Sequence, residues 1–426
     1  MSRAMKDSGV EWIGEIPENW EVIPSNLLFY NSSIKAVGDV EQLTASQKYG
    51  VISQKRYIQL ESQMPVQKIN LSDLKIVDAG DFVISLRSFQ GGIEIAQESG
   101  GITPAYTVLK ERTRNTYTGY FKYFFKSEMY IQALRGTVLD TIREGKAIRF
   151  NNFSMVPLVL PSQVEQKKIA DFLDEKTTHI DSIISQTKKS IEAFKAYKQA
   201  LITETVTKGL NPDVKMRDSG IEWIGEIPEY WKINKLKYMI EFEPPKSEVT
   251  VKNIECTFLP MEKLKNGKMN TDTQKMVEDV YSGYSYFKEH DIVLAKVTPC
   301  FENGNIAIAE GLTNGIGFGT SEIFTIRSKK INTKFLFYRL QEQTFKNEGK
   351  STMYGTGGLK RIPGSFILNY KIGLPTNEEQ QQIADFLDEK TTHIDSLIAD
   401  KQKMVQELEK YKKSLIYEYV TGKKEV

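Results

Sequence analysis

Ile169-Ala-Asp-Phe-Leu-Asp-Glu-Lys-Thr-Thr-His-Ile-Asp-Ser182 occurs twice in this chain, the second time without a change at Ile383–Ser396. Behind each copy runs a heptad pattern. The first places Leu173, Thr177, Ile180, Ile184, Thr187, Ile191, Phe194, Lys198 and Leu201 at alternating steps of four and three. The second places Leu387, Thr391, Ile394, Ile398, Lys401, Val405, Leu408, Lys412 and Leu415 in the same way. Apolar residues at that spacing form a helical seam that needs a partner helix, and the chain supplies one of matching length. Thr177 and Thr391 interrupt the seam and are expected to fix its register. From Ile169 to Val206 the first helix spans about 57 Å at 1.5 Å per residue.

A second duplication opens each half. Lys6–Trp20 (KDSGVEWIGEIPENW) and Arg217–Trp231 (RDSGIEWIGEIPEYW) agree at twelve of fifteen positions. The two duplications are offset by 211 and 214 residues, so two modules of nearly equal size lie in tandem. The order is globular, helix, globular, helix. Pro161-Ser162 with Glu165, and Thr376 with Glu379, are capping boxes at the helix starts. Gly209 and Gly422 are their stop signals. The connection through a whole module allows the helices to run antiparallel.

Between Glu21 and Glu165 the pattern is mixed. Short apolar runs at Phe82–Ser88, Ile93–Gln97 and Pro104–Glu111, broken by glycine pairs, predict strands and tight turns. Tyr117–Leu134, ended by Gly136, predicts one helix. The second half repeats this order, with strands over Ile292–Val297, Asn305–Ala309 and Glu322–Arg327 and a helix from Thr333 to Asn347. The globular parts are far less alike than the segments flanking them. A shared frame with different faces implies two modules that read two different things.

At 426 residues with 40% hydrophobic and 26% charged residues, the composition is that of a soluble globular protein of several domains. Net charge is only +2, which excludes uniformly basic nucleic-acid glue and leaves local patches open. Residues 1–10 contain no apolar core of the kind a signal peptide needs, and no apolar run approaches bilayer length. A cytoplasmic location without membrane contact is expected. Two cysteines and three histidines support neither a disulfide framework nor a zinc site.

No catalytic constellation emerges. Gly349-Lys350-Ser351 lacks the glycine of a phosphate loop five places earlier, where Thr344 stands. Pro244-Pro245 lies between Glu243 and Lys246, which is not the Asp/Asn-Pro-Pro-aromatic motif of amino-methyltransferases. The acids beside the helix starts oppose the helix dipole, and no metal is expected on them. Their repetition adds a further reading: Asp171, Asp174, Glu175 and His179, with Asp385, Asp388, Glu389 and His393, form two docking faces for two copies of one partner. Trp12, Trp20, Trp223 and Trp231 are read as packing each module's start onto its core or helix.

The candidate ligand contacts join glycine to polar and basic side chains at strand ends. In the first module they are Arg87, Ser88 and Gln90 before Gly91-Gly92, and Arg143, Lys146 and Arg149. In the second they are Lys296, Thr298 and Asn303, and Lys360 and Arg361 with Tyr354 ahead of them. Arg, Lys, Gln and Asn read base edges, while Lys, Arg, Ser and Thr clamp phosphates.

Taken together, these motifs resemble the specificity (S) subunits of type I restriction-modification systems, and the resemblance covers essentially the whole chain. It rests on Trp12–Trp20 and Trp223–Trp231, on Gln166–Asp174 and Gln380–Asp388, and on Ile84–Arg87 with Gln90–Gly92 and Lys296–Gly304. The resemblance implies an α+β fold with two tandem α/β-mixed target recognition domains and two long helices in an antiparallel coiled coil, a pseudo-two-fold repeat. The corresponding segments are 1–162 and 210–375 for the recognition domains and 163–209 and 376–426 for the helices. It implies a noncatalytic subunit. Each recognition domain reads half of a bipartite site on double-stranded DNA, and the helices act as a spacer ruler. Two methyltransferase (M) subunits dock on the helices, and motor-nuclease (R) subunits join. No cofactor is expected in this chain; S-adenosylmethionine, ATP and Mg belong to the partners. Two other readings have different consequences: a stand-alone DNA-binding or anti-restriction protein would lack M partners, and a protein-only coiled-coil adaptor would show no DNA selectivity.

Overall fold

The computed structural model describes residues 3–62, 73–86, 88–113, 115–137, 148–356 and 358–426. The fold is α+β and divides into two compact units, Met1–Lys188 with Lys403–Val426, and Lys189–Gln402. Two long helices, Gln163–Lys208 and Asn377–Val420, are each divided between the units.

Both units contain an antiparallel four-stranded sheet of the same order. In unit 1 it runs Phe29–Ser32, Thr107–Glu111, Phe82–Ile84, Glu94–Ile95. In unit 2 it runs Ile240–Phe242, Ile323–Ser328, Ile292–Ala295, Ile306–Ile308. The central strands Phe82–Ile84 and Ile292–Ala295 are buried along their whole length. Continuous rather than alternating apolar runs are what a strand covered on both faces requires. Unit 2 adds a second four-stranded sheet, Gln274–Met276, Glu255–Leu259, Ile316–Gly319, Ser285–Lys288, whose middle pair is parallel.

Each unit is closed by two more pairings in matching places. The duplicated openings fold as hairpins of identical register, Met5 opposite Pro17 and Met216 opposite Pro228. The strand after each tryptophan then pairs with the strand before each long helix, Glu21–Ile23 with Leu158–Leu160 and Lys232–Lys235 with Lys371–Leu374. Entry and exit of each globular part are thereby brought side by side.

The single helices expected at Tyr117–Leu134 and Thr333–Asn347 are each two: Thr118–Phe124 and Glu128–Gly136, then Thr333–Arg339 and Gln343–Ser351. At the breaks Ser127 and Glu342 adopt extended backbone (ψ 140° and 152°). Ser127 donates its hydroxyl to the Phe124 carbonyl at 2.7 Å and accepts from the Tyr130 amide at 3.4 Å. Both short helices face one core, so the apolar period continues across the break and hides it.

Within each unit the long-helix segments run antiparallel. In unit 1, Asp181 accepts from Lys412 at 2.6 Å and Lys188 donates to Glu409 at 3.1 Å. In unit 2, the Lys401 ammonium lies 5.7 Å from the Phe194 ring and Lys198 donates to Asp395 at 2.7 Å. The core of unit 1 takes Ile169, Leu173, Ile180 and Ile184 from the first helix and Val405, Leu415, Ile416 and Val420 from the second. That of unit 2 takes Ile202 and Val206 from the first and Ile383 and Leu387 from the second. The helix faces are therefore buried against module cores as well as against each other. No described helix is long and apolar enough to cross a membrane.

Candidate nucleic-acid interface and helix docking faces

The two duplicated segments meet in each unit. Trp20 and Trp231 are buried, and each donates its indole N–H to the glutamate of the following helix start, Trp20 to Glu165 at 3.3 Å and Trp231 to Glu379 at 3.1 Å. Those glutamates are the capping-box residues, and their amides reach Ser162 and Thr376, both at 3.3 Å. Arg3 also binds Glu165, and Tyr230 donates to Glu379 at 2.9 Å. Burial pushes the Glu165 carboxyl up, but donation from Trp20 and Arg3 outweighs it and holds the group below its ordinary range. Gln166 and Gln380 are buried next to them, accepting from the amides of Tyr117 (2.7 Å) and Asn332 (2.8 Å).

About two turns further along, Asp174 accepts from Lys122 at 2.5 Å and Tyr123 at 2.6 Å, and the Tyr123 hydroxyl lies 2.9 Å from Thr177. Asp388 repeats this with Lys334 (2.5 Å), Tyr338 (2.7 Å) and Thr391 (3.1 Å). Burial and the neighbouring carboxylate raise both phenols well above the ordinary range. Thr177 and Thr391 therefore hold a module tyrosine on the helix, a different task from keying two helices in register. Asp174 and Asp388 are tied to the module by these bonds while their side chains stay 50% and 36% exposed.

What remains of the duplication is exposed. Asp171, Glu175, Thr178, His179 and Ser182 face solvent on one stripe of the first helix, and Asp385, Glu389, Thr392, His393 and Ser396 face it on the second. Glu175 and Glu389 accept from the adjacent Lys176 and Lys390, both at 2.9 Å, and Asp385 accepts from Gln381 at 2.7 Å. Packing within the units does not require these residues to match.

In unit 2 the candidate DNA contacts converge on one ledge. The Thr298 amide donates to the Lys360 carbonyl and the Lys360 amide to the Thr298 hydroxyl, both at 2.9 Å, while that hydroxyl donates to the Gly358 carbonyl at 2.8 Å. Tyr354 and Arg361 exchange backbone bonds of 2.9 and 3.1 Å. Gly355, at φ +131°, would bring a Cβ within 2.5 Å of the Leu359 carbonyl, so this turn needs glycine. Tyr354 and Lys360 are exposed, the Lys296 ammonium lies 5.0 Å from the Phe324 ring, and Asn303 is exposed at the tip of the neighbouring loop. Arg361 is fixed by Glu322, its Nε and Nη2 donating to the two carboxylate oxygens at 2.8 and 2.7 Å. Sequence reasoning missed Glu322, because an acid at the start of a strand carries no motif.

In unit 1, Arg87, Arg143 and Lys146 lie outside the described residues. Ser88 is fully buried and its hydroxyl accepts from the Ser85 amide at 2.8 Å; it shapes the turn and is withdrawn from any surface contact. Gln90 and Arg149 are exposed, Arg149 at the start of the helix Phe150–Ser154. Lys126, which composition did not single out, donates to the Gly91 carbonyl at 3.0 Å and binds the buried Glu94.

Residues 228–407 match the family model described as Type I restriction modification DNA specificity domain. Over 424 residues the chain is 28% identical to the MjaVIII specificity subunit of Methanocaldococcus jannaschii, covering 96% of this chain and 93% of that one. The EcoEI and EcoAI specificity subunits of Escherichia coli are 34% and 38% identical over 198 and 163 residues, spans that cover only 33% and 27% of those relatives. The fold is shared with a chain from a study of complex assembly and conformational transition in the type I R-M system (TM-score 0.69, 11% identity, 96% of this chain and 99% of that). It is also shared with the HsdS subunit from Thermoanaerobacter tengcongensis (TM-score 0.52, 13% identity, 98% and 99%).

Proposed function

We propose that the chain is a specificity subunit of a type I restriction-modification system and serves as the noncatalytic DNA-reading subunit of such a complex. Each globular part reads one half of a bipartite site on double-stranded DNA. The two long helices set the unread spacer and dock two M subunits, to which R subunits add. S-adenosylmethionine, ATP and Mg serve those partners. The observation that carries this reading is the division of labour along the chain: the frame is duplicated down to its exposed stripe, while the lobes have diverged. Identical solvent-facing residues in two places suit two copies of one partner, and divergent lobes suit two different half-sites.

Replacing Asp171, Glu175 and His179 together by alanine should reduce co-purifying M subunits from two per chain to one. Replacing Asp385, Glu389 and His393 as well should abolish them, with the melting temperature unchanged. Retention of two M subunits would refute the docking faces. Exchange of Glu21–Leu160 for another recognition domain should alter one half of the methylated motif and spare the other, as read by sequencing methylated adenines. A chain that binds DNA selectively without M subunits would favour the stand-alone reading, and one without DNA selectivity in their presence would favour the adaptor.

A further inference from the structure

The ledge of unit 2 carries an arginine held in a defined attitude. Arg361 gives Nε and one N–H of Nη2 to Glu322, and none of the described residues bonds Nη1. The guanidinium is planar, so its remaining edge presents two parallel N–H donors, one from each terminal nitrogen, away from the carboxylate. Its side chain is 39% exposed. The strand ends beside it are locked as well, with the Lys296 amide donating to the Glu322 carbonyl at 3.0 Å and the Ile362 amide to the Lys296 carbonyl at 2.9 Å. Arg361 draws the Glu322 carboxyl below its ordinary range, so both groups are ionised at neutral pH.

Resting on the DNA-reading role proposed above, we infer that Arg361 reads a guanine in the half-site of unit 2 and that Glu322 is the positioning residue that presents it. A fork of two donors matches the O6 and N7 acceptors that guanine shows in the major groove, whereas adenine offers one acceptor and one donor there. The alternative use of a surface arginine is to neutralise a phosphate, which rewards net positive charge. Glu322 cancels much of that charge at contact distance, while the direction of the free donors survives. Lys360, exposed on the same turn and without an acid partner among the described residues, is the cation placed for phosphate. Tyr354 and Leu359, 60% and 57% exposed, offer apolar surface of the kind that meets a thymine methyl.

The test uses the full chain co-expressed with its M subunits and a library of randomised duplexes, read by selective binding and by the methylated motif. Arg361→Ala should erase the preference for guanine at one position of one half-site, lowering discrimination there by about 5- to 150-fold, and leave the other half-site unchanged. Arg361→Lys should not restore it, because an ammonium lacks the fork. Glu322→Gln should relax the same position to a lesser degree. The unchanged half-site reports that the chain is folded. A uniform loss of affinity across all sequences, with the salt dependence reduced by one phosphate contact, would overturn the base-reading role. Relaxation by Arg361→Ala but not by Glu322→Gln would overturn the positioning role. If the wild-type complex shows no bipartite selectivity at all, the DNA-reading role itself falls and this inference with it.

Discussion

Glu165 joins three functions in one carboxylate. It accepts from the hydroxyl of Ser162, the residue that caps the first long helix, receives the indole of Trp20 and binds Arg3. Because its folded pKa is depressed, its stabilisation is present at neutral pH and is lost as pH falls through the folded value. Glu165→Gln should therefore cost about 1 kcal/mol at neutral pH, and the gap from wild type should close on acidification below the carboxylate range, as followed by thermal melts across pH. Arg339 and Glu342 pose a different case, since both are buried and bonded at 2.7 Å. Burial raises the Glu342 carboxyl while Arg339 opposes that rise. Glu342 also accepts from Tyr370 at 2.9 Å. Glu342→Ala would strand a buried guanidinium and should cost about 3–5 kcal/mol, whereas the double replacement R339M/E342L should recover most of that loss in denaturant melts of unit 2.

At the scale of elements, each long helix ends on a glycine in the left-handed region, Gly209 at φ +79° and Gly422 at φ +70°. Their surroundings differ. A Cβ on Gly422 would stand 2.5 Å from the Pro17 ring, while one on Gly209 would first meet the Glu379 carboxylate at 2.9 Å. A flexible carboxylate yields and a packed proline ring does not. Gly209→Ala should cost about 1 kcal/mol from backbone strain, and Gly422→Ala clearly more, measurable as a larger fall in melting temperature. The carbonyl near each helix end is also capped by its module, Val420 by the Tyr120 hydroxyl at 2.8 Å and Val206 by Arg339 at 3.3 Å. The same task is done by a phenol in one unit and a guanidinium in the other, so the contact repeats although the residue type does not.

For the whole molecule, the near-neutral net charge of +2 means that tight DNA binding needs local cations and, in the proposed complex, the charge of the partners. The proposed ruler makes a quantitative expectation. Inserting seven residues after Lys188 and seven after Gln402 adds two turns to both helices and keeps the heptads in phase. The added rise is about 10.5 Å, so the spacer between half-sites should lengthen by about three base pairs at 3.4 Å each, with both half-sites unchanged. An unaltered spacer in the methylated motif would count against the ruler.

The tandem frame was legible in the chain itself, because duplicated letters and heptad periods are local signals. The seam positions from Leu173 to Ile191 are buried at each heptad step read from the sequence, and Ser162 and Thr376 cap the helices where the capping boxes stand. Pairings between distant residues were not legible. Nothing in the sequence signals that Tyr123 and Tyr338 bond Asp174 and Asp388, or that they reach Thr177 and Thr391, which read only as register marks. Ser88 has the composition of a contact residue and the burial of a structural one. Glu322 and Arg361 are 39 residues apart and Thr298 and Lys360 are 62 apart, so no period or motif links them. The strand ends and turns of unit 2 bring them within bonding distance, and only folding in three dimensions could decide which loop residues share a surface and which way a guanidinium points.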